Sequence, residues 1–113
     1  MLRSAVGEFM AVTRLEQLQK LAAAQPHDPL AHYGVGLEHM NLQQWEPAIA
    51  AFDRALQADA NYVAAYMQKA RAELKLGRRT AALQTLQRGV ALARAQGDRH
   101  AADEMNKLLE TLM

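Results

Sequence analysis

Residues 29–62 read PLAHYGVGLEHMNLQQWEPAIAAFDRALQADANY. Two amphipathic helical patterns lie here, joined by the polar turn Leu42-Gln43-Gln44 and bounded by helix breakers. Asp28-Pro29 opens the first, with Asp as cap and Pro at the first helical position. Trp45-Glu46-Pro47 opens the second, where a first-turn Pro loses no hydrogen bond. Asp59-Ala60-Asn61 ends it and caps the next helix. Residues 63–96 repeat the scheme. A chain built of repeated helix pairs buries its core between neighbouring pairs, so its function lies on a surface.

A shift of 34 residues superposes Leu18, Phe52 and Leu86. It also superposes Leu21, Ala55 and Gly89; Pro26, Ala60 and Arg94; Gly36 and Ala70; and Ala48 and Ala82. Close packing explains the choice of size. Small residues at 36/70 and 48/82 let the two helices of a pair approach, and large residues at 52/86 fill the gap between pairs.

Outward from this core, the chain reads as helix throughout. A helix is expected over 13–24, opened by the capping box Thr13-Arg14-Leu15-Glu16, striped with Leu15, Leu18, Leu21 and Ala22, and stopped by Pro26. Ile49, Phe52, Ala55 and Leu56 are the expected buried stripe of the helix after Trp45. A fourth helix is expected over 62–76, closed by Gly77, and a fifth over 79–95 with Leu83, Leu86, Val90 and Leu92. Gly97 ends it, and Asp98 caps a sixth that carries Ala101, Ala102, Met105, Leu108, Leu109 and Leu112. Residues 1–12 place Leu2, Val6, Phe9 and Met10 on one face, but Gly7 interrupts it, so a frayed terminus is expected there. Connections are short, which makes neighbouring helices antiparallel.

Composition bounds the rest. The chain has 113 residues, one domain's worth, and half are hydrophobic. It contains no cysteine, which excludes disulfides and thiolate metal sites. No apolar run approaches a membrane span and the first residues lack a secretory pattern, so a cytoplasmic location is expected. Charge is uneven. Residues 1–62 hold four Lys/Arg against seven Asp/Glu, whereas residues 63–100 hold eight against two. The basic segment favours an acidic partner, set against simple solvation of exposed helix faces.

The spacing resembles the tetratricopeptide repeat, with its period of 34 and its W-x₂-L-G-x₂-Y, Ala, aromatic, Pro pattern. Val35-Gly36 stands at the family's Leu-Gly pair, and Ala48, Phe52 and Ala55 at its second-helix positions. His32 replaces the Trp, His39 the Tyr and Ala60 the Pro. In the second repeat Tyr66, Ala70, Gly77, Ala82 and Leu86 fit, while Lys69, Glu73 and Arg94 depart. The resemblance implies an all-α fold, an α-α superhelix formed as a right-handed stack of about six helices in antiparallel pairs. Residues 13–26 would be a half repeat, 29–62 and 63–96 full repeats, and 98–112 a capping helix shifted by one residue.

In this family the first helix of each pair lines a concave face. By position that face is Leu30, Tyr33, Leu37, Met40 and Asn41, then Ala64, Met67, Arg71, Leu74 and Lys75, then Arg99, Ala102, Asn106 and Leu109. Leu37 and Leu74 are the residues most prone to pack helix on helix instead, while Tyr33, Met40 and Met67 suit partner contact. Arg71 and Lys75 should point into the trough, with Arg78 and Arg79 at its rim. Some members clamp a carboxylate with Lys and Asn; here Tyr33, Leu37 and Gln68 stand at those positions, so that clamp is absent.

No constellation for chemistry is present in the sequence. His27, His32, His39 and His100 lack metal-ligand spacing, and a neutral, partly buried imidazole is the expected state of His32 and His39. Met40, Met67 and Met105 suit gap-filling, and Gly34-x-Gly36 lies inside a helix, away from any strand. No metal, cofactor or small-molecule substrate is expected, and no enzyme activity, because no poised nucleophile or base is visible. Nucleic acid is disfavoured: Lys69, Arg71, Lys75, Arg78 and Arg79 are basic, but aromatic platforms are scarce. The expected role is a protein-interaction module that holds an acidic-amphipathic peptide or helix segment in the groove. Self-association as a scaffold is the alternative, through an incompletely covered stripe of Leu15, Leu18 and Leu21.

Overall fold

The computed structural model describes residues 2–113, with side chains at 5–10 and 12–113. Six helices run in order among these residues: α1 (Leu2–Ala24), α2 (Pro29–Asn41), α3 (Trp45–Ala58), α4 (Val63–Lys75), α5 (Arg79–Ala95) and α6 (Arg99–Leu112). None is long and apolar enough to cross a membrane.

The caps follow from local chemistry. The Asp28 carboxylate accepts from the Leu30 amide at 2.9 Å, with Pro29 at the first helical position. Asp98 accepts from the Ala101 amide at 3.1 Å. Helices α2, α4 and α5 close alike, each through one left-handed residue: Gln43 (φ 59°), Gly77 (φ 74°) and Gly97 (φ 73°). In each closure the following amide reaches back five residues: Gln44 to His39 at 2.9 Å, Arg78 to Glu73 at 2.9 Å and Asp98 to Ala93 at 2.8 Å. Gln43 and Gly77 are one repeat apart. The first repeat therefore holds a conformation that suits glycine without having one.

The start of α1 differs from the sequence expectation. The helix begins at Leu2, and Thr13 is an interior residue whose hydroxyl donates to the Phe9 carbonyl at 3.0 Å. The capping box is not used, because a Thr inside a helix satisfies its hydroxyl one turn back. Leu2 belongs to the expected apolar face but lies outside the described side chains; Val6, Phe9 and Met10 are exposed.

Consecutive helices pack along the stack. Beyond these neighbours, α2 touches α4 and α4 touches α6, whereas α3 and α5 stand apart. The first helices of the pairs therefore form the inner, concave layer. Phe52 and Leu86, one repeat apart, are completely buried, as are Ala48 and Ala82. The stripe of α3 is Ala48, Ala51, Phe52 and Ala55, with Ile49 and Leu56 only half-buried, because α2 approaches closely enough to demand the small residues.

The buried His32 and Glu73 each find a partner, whereas one carboxylate oxygen of Glu38 is buried without one. His32 is buried, and its Nε2 lies 2.7 Å from the Pro26 carbonyl oxygen, which accepts and so places the proton on that nitrogen. Glu73 departs from the family's aromatic position for a reason visible here. It turns inward, and its carboxylate accepts from the Thr85 hydroxyl of α5 at 2.7 Å, with both residues buried.

Candidate concave interface

The inner layer of α2, α4 and α6 carries two adjoining cavities. One, of about 210 Å³, is lined by the apolar side chains of Tyr33, Ala64, Met67, Ala101 and Met105 and by the polar side chains of Gln68, Asp98, His100 and Glu104. The other, of about 380 Å³, lies between Met67 and Arg71 of α4 and Glu104, Lys107, Leu108 and Thr111 of α6. Met67 and Glu104 line both.

Tyr33 is positioned by stacking. Its ring lies 5.7 Å from Phe52 and 5.2 Å, edge-on, from Tyr62. Burial pushes its hydroxyl pKa up, as does the neighbouring Tyr62, against a Gln68 hydrogen bond and the Arg71 charge, which both lower it. Tyr33 and Gln68 both line the first cavity, and Arg71 lines the second.

Of the residues assigned to the trough, Tyr33, Ala64, Met67 and Arg71 come together. Leu30, at 62% exposed, and Leu37 are exposed on α2, beside these cavities but lining neither. Met40 packs toward Phe52, and Leu74 packs on the second repeat's core. Asn41 lines a separate cavity with Gly7, Glu8, Val12 and Arg14. Lys75 sets its ammonium 5.7 Å from the Trp45 ring centroid on α3, a cation–π contact that draws it from the trough.

The basic stretch is largely paired. Lys69 bonds Asp53 at 2.7 Å, and Arg78 bonds Glu46, so both side chains tie repeat to repeat. Arg71 remains as the stretch's cation in the cavities.

On α6 the lining face differs by one residue from the sequence assignment. Ala102 is buried and Leu109 packs on the core, and neither they nor Arg99 and Asn106 line the two cavities. The first cavity instead takes Asp98, Ala101 and Met105, and the second takes Leu108. These lie 34 residues after Ala64, Met67, Arg71 and Leu74, whereas burial follows a different count: Met105 is buried, 35 residues after buried Ala70, and Arg71 is exposed. Unbroken counting would have found Ala101 and Leu108; Glu104 and Lys107 have no counterpart in the earlier repeats' groove residues.

A stack of antiparallel helix pairs with this period, Gly36 pressed on Phe52 and a concave inner layer defines the tetratricopeptide-repeat fold. The chain has this fold over nearly its whole length. No family model matches it. A TPR repeat-containing protein of Pseudomonas aeruginosa is 28% identical over 98 residues, spanning 87% of this chain and 93% of the relative. The PcrH structure solved in complex with the chaperone binding region of PopD superposes with a TM-score of 0.84 at 23% identity, covering 96% of this chain and 86% of PcrH. The TPR2B domain of yeast Sti1, solved as a complex with pHsp70, gives a TM-score of 0.83 at 20% identity, covering 97% and 93%.

Proposed function

We propose that this protein is a non-enzymatic interaction module that holds a peptide or helical segment of another protein against α2, α4 and α6. The pair of adjoining cavities on the concave layer carries this reading. It offers apolar surface at Tyr33 and Met67, and Arg71 beside Lys107 to receive an acidic group. Similarly folded proteins support it, since PcrH and the Sti1 domain were both solved with protein segments bound. The Lys/Asn carboxylate clamp of some family members is absent, which argues against a chaperone-tail adaptor role.

Comparison of co-purified proteins tests the proposal. Tyr33→Ala and Arg71→Glu should each weaken a groove partner by ~1–3 kcal/mol, about five- to 150-fold, while Arg88→Glu on the exposed face of α5 leaves it bound. Retention of every partner by both groove variants would show that the concave layer is not the interface.

One observation favours self-association as a second reading. Val6, Phe9 and Met10 form an exposed stripe on α1, with Phe9 70% exposed, on the side away from buried Leu15 and Ala22. Light scattering should then show an oligomer that dissociates with Phe9→Glu. A monomer at every concentration and salt removes this reading.

A further inference from the structure

The two cavities carry opposite charges at their mouths. Around the first stand Asp98 and Glu104, with the neutral amide of Gln68. His100 places Nε2 3.0 Å from a Glu104 oxygen, but its imidazole is 87% exposed and free to swing into solvent. Asp98 spends one carboxylate oxygen on the Ala101 amide. The less exposed lining beside these carboxylates is apolar: Val63 and Met105 are buried, and Met67 and Ala101 half-buried. Around the second cavity stand Arg71 and Lys107, with Glu104 on the shared wall and Leu108 inside.

An apolar lining beside two carboxylates fits one kind of side chain best, a methylene stem ending in a cation. The stem is buried along the walls and the charged head stays in water beside the carboxylates. An aliphatic side chain alone would leave Asp98 and Glu104 desolvated without a partner, which is costly. The second cavity makes the converse demand, an acidic group between two cations over an apolar base. Its centre lies about one helical turn along α4 and α6 from the first, since Met67 leads to Arg71 and Glu104 to Leu108, or ~6 Å. That distance matches residues i and i+4 of a bound helix, or i and i+2 of an extended strand.

We infer that the groove reads a paired signal: a Lys or Arg seated against Asp98 and Glu104, and an Asp or Glu next to it on the same face of the ligand, seated between Arg71 and Lys107. This inference rests on the concave layer being the interface, and it replaces a uniformly acidic partner with a bipolar one. Glu104 acts twice, attracting the cation and keeping the second cavity from accepting any anion indiscriminately.

Selection of a random linear peptide library displayed on phage tests it with the full chain. Peptides enriched on the wild-type protein should carry Lys/Arg and Asp/Glu at i, i+2 or i, i+4 spacing beside an apolar residue. Glu104→Gln should remove the Lys/Arg enrichment and weaken a selected peptide about tenfold, and Arg71→Gln should do the same for Asp/Glu. Both residues are exposed, so circular dichroism and melting should match the wild type. Peptides that need Tyr33 and Met67 but show no paired charges would overturn the bipolar reading and leave the groove standing. Failure to enrich, or binders indifferent to Tyr33→Ala and Met67→Ala, would overturn both.

Discussion

A β-carbon added to Gly36 would lie 2.3 Å from Cε1 of Phe52. The ring is fully buried, so it has no room to retreat. Alanine would raise helix propensity by ~1 kcal/mol, but overpacking a filled core costs about 1–3 kcal/mol, more if the backbones must part. Gly36→Ala is therefore expected to destabilise the fold by urea titration. An unchanged or higher midpoint would mean that α2 and α3 are not in this contact.

The left-handed turn at Gln43 makes the opposite prediction. Its φ of 59° is that of Gly77 one repeat later, and a side chain there carries strain of ~1 kcal/mol or somewhat more. Gln43→Gly should raise stability by about 0.5–1 kcal/mol, and Gly77→Ala should lower it similarly. Equal and opposite shifts in urea midpoint would identify the turn geometry as the cause; a loss from Gln43→Gly would refute it.

Thr85 is the hydroxyl that satisfies buried Glu73. Thr85→Val keeps the shape but strands the carboxylate, at a cost of about 1–3 kcal/mol. Thr85→Ser should keep most of the stability. If Val and Ser variants melt together, the hydrogen bond contributes nothing and packing alone explains the burial.

Tyr33 sets an alkaline limit. Burial and Tyr62 raise its pKa, and burial with Asp28 and Asp59 raises that of Tyr62. With folded values above the unfolded ones, the folded state keeps protons that the unfolded state gives up. This contribution to stability is intact below about pH 10 and is lost as pH climbs through the folded pKa values. Melting temperature measured from pH 8 to 12 should fall, and less steeply in Tyr33→Phe. A variant profile parallel to the wild type would assign the alkaline loss to other groups.

The helix pairs, their period and the packing of Gly36, Ala48, Phe52 and Leu86 were legible from sequence alone. Helical periodicity, caps at Asp28 and Asp98 and breakers at Pro26, Gly77 and Gly97 are local signals, and a 34-residue repeat transfers packing roles to the next pair. The groove was legible only in part. Tyr33, Met67 and Arg71 follow from position on a helix. The diversion of Lys75 to Trp45 and the pairing of Lys69 and Arg78 with α3 depend on what stands opposite, which no spacing along one helix reveals. The α6 face turned on a single residue of register, about 100° of helix rotation, and was decided by which side chains, Ala102 and Met105, could be buried against α5. The start of α1 also departs from its local signals: Gly7 and Thr13 weaken a helix, yet the segment is helical through both. Tertiary structure alone brought Glu104 of α6 beside Arg71 of α4, because charges on separate helices acquire a relationship only when those helices pack.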